Sequence, residues 1–144
     1  MTPSGYSGTP TAAKLGFKPD MRVIVLGEPP GYRRALGRLP AGIDERSRLG
    51  GRFDLIHFFT TKLRELERRL PVLRRAMVDD GTLWISWPKG ASSIATELNR
   101  DRIRTHVLGA GLDLVDVKVC AVDEDWSGLK FVVRREARRQ ASTT

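Results

Sequence analysis

The chain has 144 residues, of which 40% are hydrophobic and 29% charged, a length and balance that predict one globular domain with a real core. No apolar run approaches the about 20 residues that span a bilayer, and the opening "MTPSGYSGTP" has neither the basic start nor the apolar stretch of a signal peptide. The single cysteine, Cys120, excludes an internal disulfide, and a reducing, cytoplasmic setting is expected.

In chain order, "MTPSGYSG" is polar and small and reads as an N-terminal arm. Thr9 and Pro10 look like a cap and first helical position, so a short helix is expected to Leu15, ended by Gly16. "MRVIVL" is a strand whose unbroken apolar run predicts burial on both faces. Pro29 or Pro30 then opens a helix over Tyr32–Leu36, and "GIDERS" allows one short edge strand. "RFDLIHFF" is a second strong strand, after which Thr60 or Thr61 is expected to cap a helix from Lys62 to about Val78. Leu63, Leu66, Leu70, Leu73 and Met77 form its buried stripe, and Pro71 predicts a kink or break. "DDG" reads as a turn into the strand "TLWISW", "PKGASSIAT" as a loop, and Asn99 as the cap of a helix to about Gly109. "LDLVDVKVCAV" and "LKFVVRR" form a hairpin, with its turn at Ser127–Gly128. The expected divisions are an arm with a short helix (1–20), an α/β domain (21–135) and a basic tail (136–144).

Strands alternating with helices predict a mostly parallel sheet with right-handed crossovers and helices on both faces. Such a sheet followed by a C-terminal antiparallel hairpin resembles a shortened class I methyltransferase version of the Rossmann-like fold. In open α/β sheets ligands bind beyond the carboxyl ends of the strands. The loops "GEPPGY", "TTK", "PKGAS" and "VDEDWSG" should gather there, bringing Glu28, Tyr32, Lys62, Trp87, Lys89, Asp123, Glu124 and Trp126 toward one cleft.

Two features count against S-adenosylmethionine. The methyltransferase turn resembles G-x-G-x-G, whereas here it is Gly27-Glu28-Pro29-Pro30-Gly31, and proline removes backbone donors and fixes φ. The Gly27–Arg52 segment also has room for only one helix and one brief strand, where the fold's pattern adds a further strand–helix unit for adenine and ribose. Asp44 or Glu45 are the acidic residues available for ribose hydroxyls.

The motifs "GYSGTP" with "KLGFKP", "GRFDLIHFF", "LWISWPKGAS" and "VDVKVCAVDEDWSGLKFV" resemble a bacterial family known as domain of unknown function 3052. The likeness covers nearly all of the chain except the basic tail. It implies a methyltransferase-like domain with no established activity and brings no catalytic residues.

Other residues read more plainly. Trp84 is expected in the core and Trp87 on the opposite face at the strand's end. His57 is expected as a hydrogen-bonded core residue, His106 as a helix residue facing solvent, and Cys120 as packing; no His/Cys spacing fits a metal. Asp123, Glu124 and Asp125 form an acidic turn that could pair with Lys62, Lys89 or Arg33.

Three functional classes remain open. The first is a non-catalytic module that binds a small ligand or a protein partner, as monomer or homodimer, without cofactor. The second is a divergent S-adenosylmethionine-dependent methyltransferase. The third is a nucleic-acid-binding protein using Arg64, Arg68 and Arg75, which a net charge of +8 keeps in view although its basic residues are spread along the chain.

Overall fold

The computed structural model describes residues 10–138; the stretch 1–9 and the tail 139–144, expected as arm and basic extension, lie outside the described residues. The elements are α1 (Thr11–Leu15), β1 (Arg22–Leu26), α2 (Tyr32–Leu36), β2 (Asp44–Arg46), β3 (Phe53–Phe59), α3 (Leu63–Arg75), β4 (Met77–Pro88), α4 (Arg100–Gly109), β5 (Leu114–Ala121) and β6 (Trp126–Val133), then a single turn of 3₁₀ helix at Arg135–Ala137. One six-stranded sheet runs β2-β1-β3-β4-β6-β5. β1 pairs in parallel with β2 and β3, and β3 with β4. The hairpin closes the sheet antiparallel, with β6 between β4 and the edge strand β5. This is a mixed α/β sheet consistent with the Rossmann-like expectation, and the short edge strand in "GIDERS" does pair with the first strand.

Strand alternation sorts the core into two clusters. Ile56, Phe58, Leu83 and Ile85 pack with Leu66, Leu70 and Leu73 of α3 and Ile103 and Val107 of α4. Val23, Leu55, Phe59 and Trp84 pack with Ala12 and Leu15 of α1 and Tyr32 and Leu36 of α2. Trp84 and Trp87 fall in different clusters, as their spacing predicted.

Local structure differs from expectation in several places. α3 stops at Arg75, so Met77 and Val78 belong to β4 rather than to the helix. Met77 is buried all the same, because it meets Phe53 across the sheet. "DDG" is an irregularity within β4: pairing passes from Phe53↔Met77 to Leu55↔Thr82, and the extra residues are accommodated around Gly81. A Cβ at Gly81 would lie 3.0 Å from the Val78 carbonyl and 3.1 Å from that of Phe53. α3 runs unbroken through Pro71, which is exposed, while Leu66, Leu70 and Leu73 on either side hold the helix to the sheet.

Further differences concern caps and the hairpin turn. Lys62 occupies the N-cap of α3, where Thr60 or Thr61 was expected. The Leu63 amide donates instead to the Glu97 carboxylate, 2.6 Å away and 34 residues later. Pro10 likewise takes the N-cap position of α1. Ser127 and Gly128 lie inside β6; the turn is set by Asp123, whose carboxylate accepts from the amides of Asp125 (2.8 Å) and Trp126 (2.9 Å). Asn99 caps α4 as expected, accepting from the Arg102 amide at 2.8 Å.

Candidate functional site

The order β2-β1-β3 means that the chain leaves β1 in one direction and returns on its other side, so the crevice of this topology opens between the carboxyl ends of β1 and β3. There the backbone of Gly27 (φ 72°) presses against β3: a Cβ would lie 2.4 Å from the Phe59 carbonyl oxygen. Only glycine fits. Pro29 is buried, and its carbonyl accepts from the Tyr32 amide at 3.3 Å. The turn thus closes on itself and leads directly into α2.

Tyr32, expected to face the cleft, is fully buried. Its hydroxyl lies 2.9 Å from His57 Nδ1, and His57 Nε2 lies 2.7 Å from Ser86 Oγ; His57 and Ser86 are buried as well. Burial holds the imidazole neutral, pushing its pKa down to about 3, and pushes the Tyr32 hydroxyl's pKa up. A neutral imidazole donates from one nitrogen and accepts at the other, so this chain satisfies both hydroxyls. With all three residues buried, this hydrogen-bonded chain joins α2, β3 and β4. Phe59 stacks on His57 at 4.1 Å, and Tyr32 and Trp126 meet Phe59 edge-on at 4.9 and 5.2 Å. Trp126 and Trp87, both expected at the cleft, are each only 7% exposed and serve the core. The volume beneath the crevice is therefore occupied by the protein's own rings.

The half of this edge over β3, β4 and β6 is strapped by the loop between β4 and α4. The Lys89 amide donates to the Asp125 carbonyl (2.8 Å) and Ser92 Oγ to the Asp125 carboxylate (3.0 Å). Farther along, Thr96 Oγ1 and the Glu97 amide both donate to the Thr61 carbonyl, at 3.0 and 3.2 Å. Lys62 and Glu124 are exposed, and Lys89 and Asp123 half-buried, along this closed rim.

The other half is open. A groove of about 550 Å³ is lined by Glu28, Pro29, Pro30, Gly31, Arg33 and Arg34. Arg33 crosses it. Its Nε and Nη2 donate to Glu28, each at 3.0 Å, while Nη1 donates to Glu45 at 2.8 Å and Nη2 makes a further short contact with that carboxylate. These hydrogen bonds, Glu45's foremost, raise the guanidinium's already high pKa. The partners of Arg33 are thus Glu28 and Glu45 rather than the acidic turn at 123–125. Asp44, the alternative acid, pairs with Arg46 at 2.9 Å.

S-adenosylmethionine would need this edge, and the residues present do not fit it. The acids placed for ribose hydroxyls are held by arginine, the glycine turn carries two prolines, and the space below is filled. Among the described residues no group of three His, Cys, Asp or Glu side chains could hold a metal, and no helix is long and apolar enough to cross a membrane.

Of the residues considered for nucleic acid, Arg64 and Arg68 are exposed on α3, whereas Arg75 lies in its last turn and lines a second cleft with Arg52 and Arg74, which the sequence did not single out. His106 is half-buried and lies 3.9 Å from Glu67, bridging α4 to α3 instead of facing solvent. Cys120 is half-buried against the α1/α2 cluster, as expected for packing.

Comparison with known proteins gives a fold and nothing finer. No family model and no curated protein matches the chain. Among solved structures it is similar to TrmN from Thermus thermophilus, a methyltransferase, with a TM-score of 0.51 and 10% identity over 85% of this chain. The aligned region is 47% of TrmN, so this chain spans about half that protein's length. The likeness supports a methyltransferase-like fold.

Proposed function

We propose that the chain is a non-catalytic binding module on a methyltransferase-like fold, cytoplasmic, and a member of the domain of unknown function 3052 family. The observation that carries this reading is the Arg33 clamp. Both acids nearest the crevice are spent on an intramolecular guanidinium, and the open groove beside them presents proline, glycine and arginine rather than free carboxylate acceptors for ribose hydroxyls. Arg34, Lys62, Lys89 and Glu124 are the polar groups left along that edge for a small ligand or protein partner.

The test is calorimetric titration of the full chain with S-adenosylmethionine and with its demethylated product. No heat at millimolar ligand is expected. Micromolar binding of either would overturn the reading in favour of a divergent methyltransferase, the alternative that the likeness to TrmN supports. If the edge does bind a partner, Arg34→Glu together with Lys89→Glu should release it while leaving the fold intact, since both side chains lie outside the core.

A further inference from the structure

At the opposite, amino-terminal edge of the sheet, a cleft of about 510 Å³ is lined by Arg52, Arg74, Arg75, Gly111, Leu112 and Asp113. Three arginines line it from two separate segments, the loop before β3 and the end of α3. Its far wall is the turn between α4 and β5, in which Gly111 (φ 72°) and Asp113 (φ 62°) both take left-handed backbone. That turn fixes the charges. The Leu112 carbonyl accepts from Arg74 Nε at 2.8 Å, leaving the terminal nitrogens of Arg74 free of that bond. The Asp113 carboxylate, the one acid on the lining, is bonded by Arg134 through Nε and Nη2 at 2.8 Å, and the Arg134 amide donates to the Asp113 carbonyl at 2.7 Å. Among the described residues neither Arg52 nor Arg75 has a carboxylate partner.

Basic side chains in the last turn of a helix oppose the negative end of its dipole, which accounts for Arg74 and Arg75. It does not account for Arg52, nor for the masking of Asp113. With that acid paired, three like charges share one cleft, an arrangement that repels itself until an anion enters. We propose that this cleft binds a phosphate-bearing anion, with Arg52 and Arg75 as its ligands and Arg74 held in place by Leu112. Guanidinium groups offer forked donors that match phosphate oxygens, and the volume is that of a small-molecule site. The phosphate can belong to a free phosphorylated compound or to a nucleic-acid strand. In the second case Arg68 and Arg64, which share a helix face with Arg75 about 10 and 16 Å along α3, would extend the contact.

The experiment titrates the full chain at low salt with inorganic pyrophosphate and with a single-stranded oligonucleotide. It uses the wild type, Arg52→Gln/Arg75→Gln, and Arg64→Gln/Arg68→Gln as a control. Wild type should bind pyrophosphate, the Arg52/Arg75 variant should bind about ten-fold more weakly or not at all, and the control should match wild type. A nucleic-acid source predicts tighter binding of the oligonucleotide, weakened in both variants and falling steeply with salt. A free phosphorylated compound predicts that the oligonucleotide binds no tighter than pyrophosphate. Equal binding by the Arg52/Arg75 variant, or no binding of either probe by folded wild type, overturns the proposal. Neither outcome depends on S-adenosylmethionine, so this site and the reading of the carboxyl edge fail separately.

Discussion

The two faces of the sheet are built differently. Under α3 and α4 the buried side chains are aliphatic and aromatic, from Leu66 and Leu70 to Ile103, Phe131 and Val133. Under α1 and α2 the apolar cluster surrounds a hydrogen-bonded chain of Tyr32, His57 and Ser86, and Trp84 Nε1 donates to the Leu15 carbonyl at 2.7 Å. The first face needs apolar volume of about the right size, and many sequences can supply it. The second needs particular atoms at particular distances, because each buried polar group there costs free energy unless its partner is present. It is also the face beneath the crevice. The protein has spent its most specific interior contacts on filling the place where a ligand of this fold would reach inward.

Trp84→Ala should break that comparison most severely. It empties a fully buried site and orphans the Leu15 carbonyl, so a loss of about 4 kcal/mol is expected in urea unfolding. A loss below about 2 kcal/mol would mean that α1 is not held as specifically as the contacts imply.

His57→Leu comes next. It strands the hydroxyls of Tyr32 and Ser86 in the interior and should cost about 3 kcal/mol. The triple change Tyr32→Phe/His57→Leu/Ser86→Ala removes all three polar partners together and should recover most of that loss. If it does not, shape rather than hydrogen bonding governs this face, and the two faces are alike after all.

Acid distinguishes them further. The His57 pKa is about 3 in the folded protein against 6.5 when free. Between those values the unfolded chain binds the extra proton, so stability is fully present above pH 6.5 and is lost as pH falls toward 3. Carboxylates contribute to both proteins, so the quantity to read is wild type minus the triple variant. From pH 8 to pH 5 wild type should lose about 2 kcal/mol more than the variant. Parallel pH profiles would show that His57 already bears a proton in the fold or remains hydrated.

Much of this architecture was legible because apolar runs and turn residues act locally. "RVIVL", "FDLIHFF" and "TLWISW" are too hydrophobic and too short to be anything but buried strands, and their spacing between helices implies parallel crossovers. What was not legible depends on distant partners. Met77 continues the leucine spacing of α3, and only its meeting with Phe53 assigns it to β4. Ser127–Gly128 has the look of a turn, yet Gly128 lies in the sheet, where a Cβ would stand 3.0 Å from both the Trp84 ring and Ser86 Oγ. Tyr32 follows a loop that should face a ligand, but its hydroxyl is claimed by His57, 25 residues later. The same holds for charge. Arg33 was visible as one basic residue among many, whereas its division between Glu28 and Glu45 needs β2 beside β1.

The smallest expected effect tests whether that clamp belongs with the interior chain. Glu45→Gln removes one of the two carboxylates on Arg33, a side chain 45% exposed, and the Glu45 side chain is itself 31% exposed. Solvent and salt screen such a pair, and Glu28 still holds the guanidinium from the other side. The change should therefore cost less than about 1 kcal/mol, and the cost should fade in molar salt. Its larger consequence should be positional, because Arg33 loses the contact that reaches β2 and becomes free to swing across the groove. A cost above about 2 kcal/mol, undiminished by salt, would make the clamp a structural pin for the edge strand, equivalent to the Tyr32–His57–Ser86 chain. The groove beside it would then be a by-product of packing rather than a surface kept open.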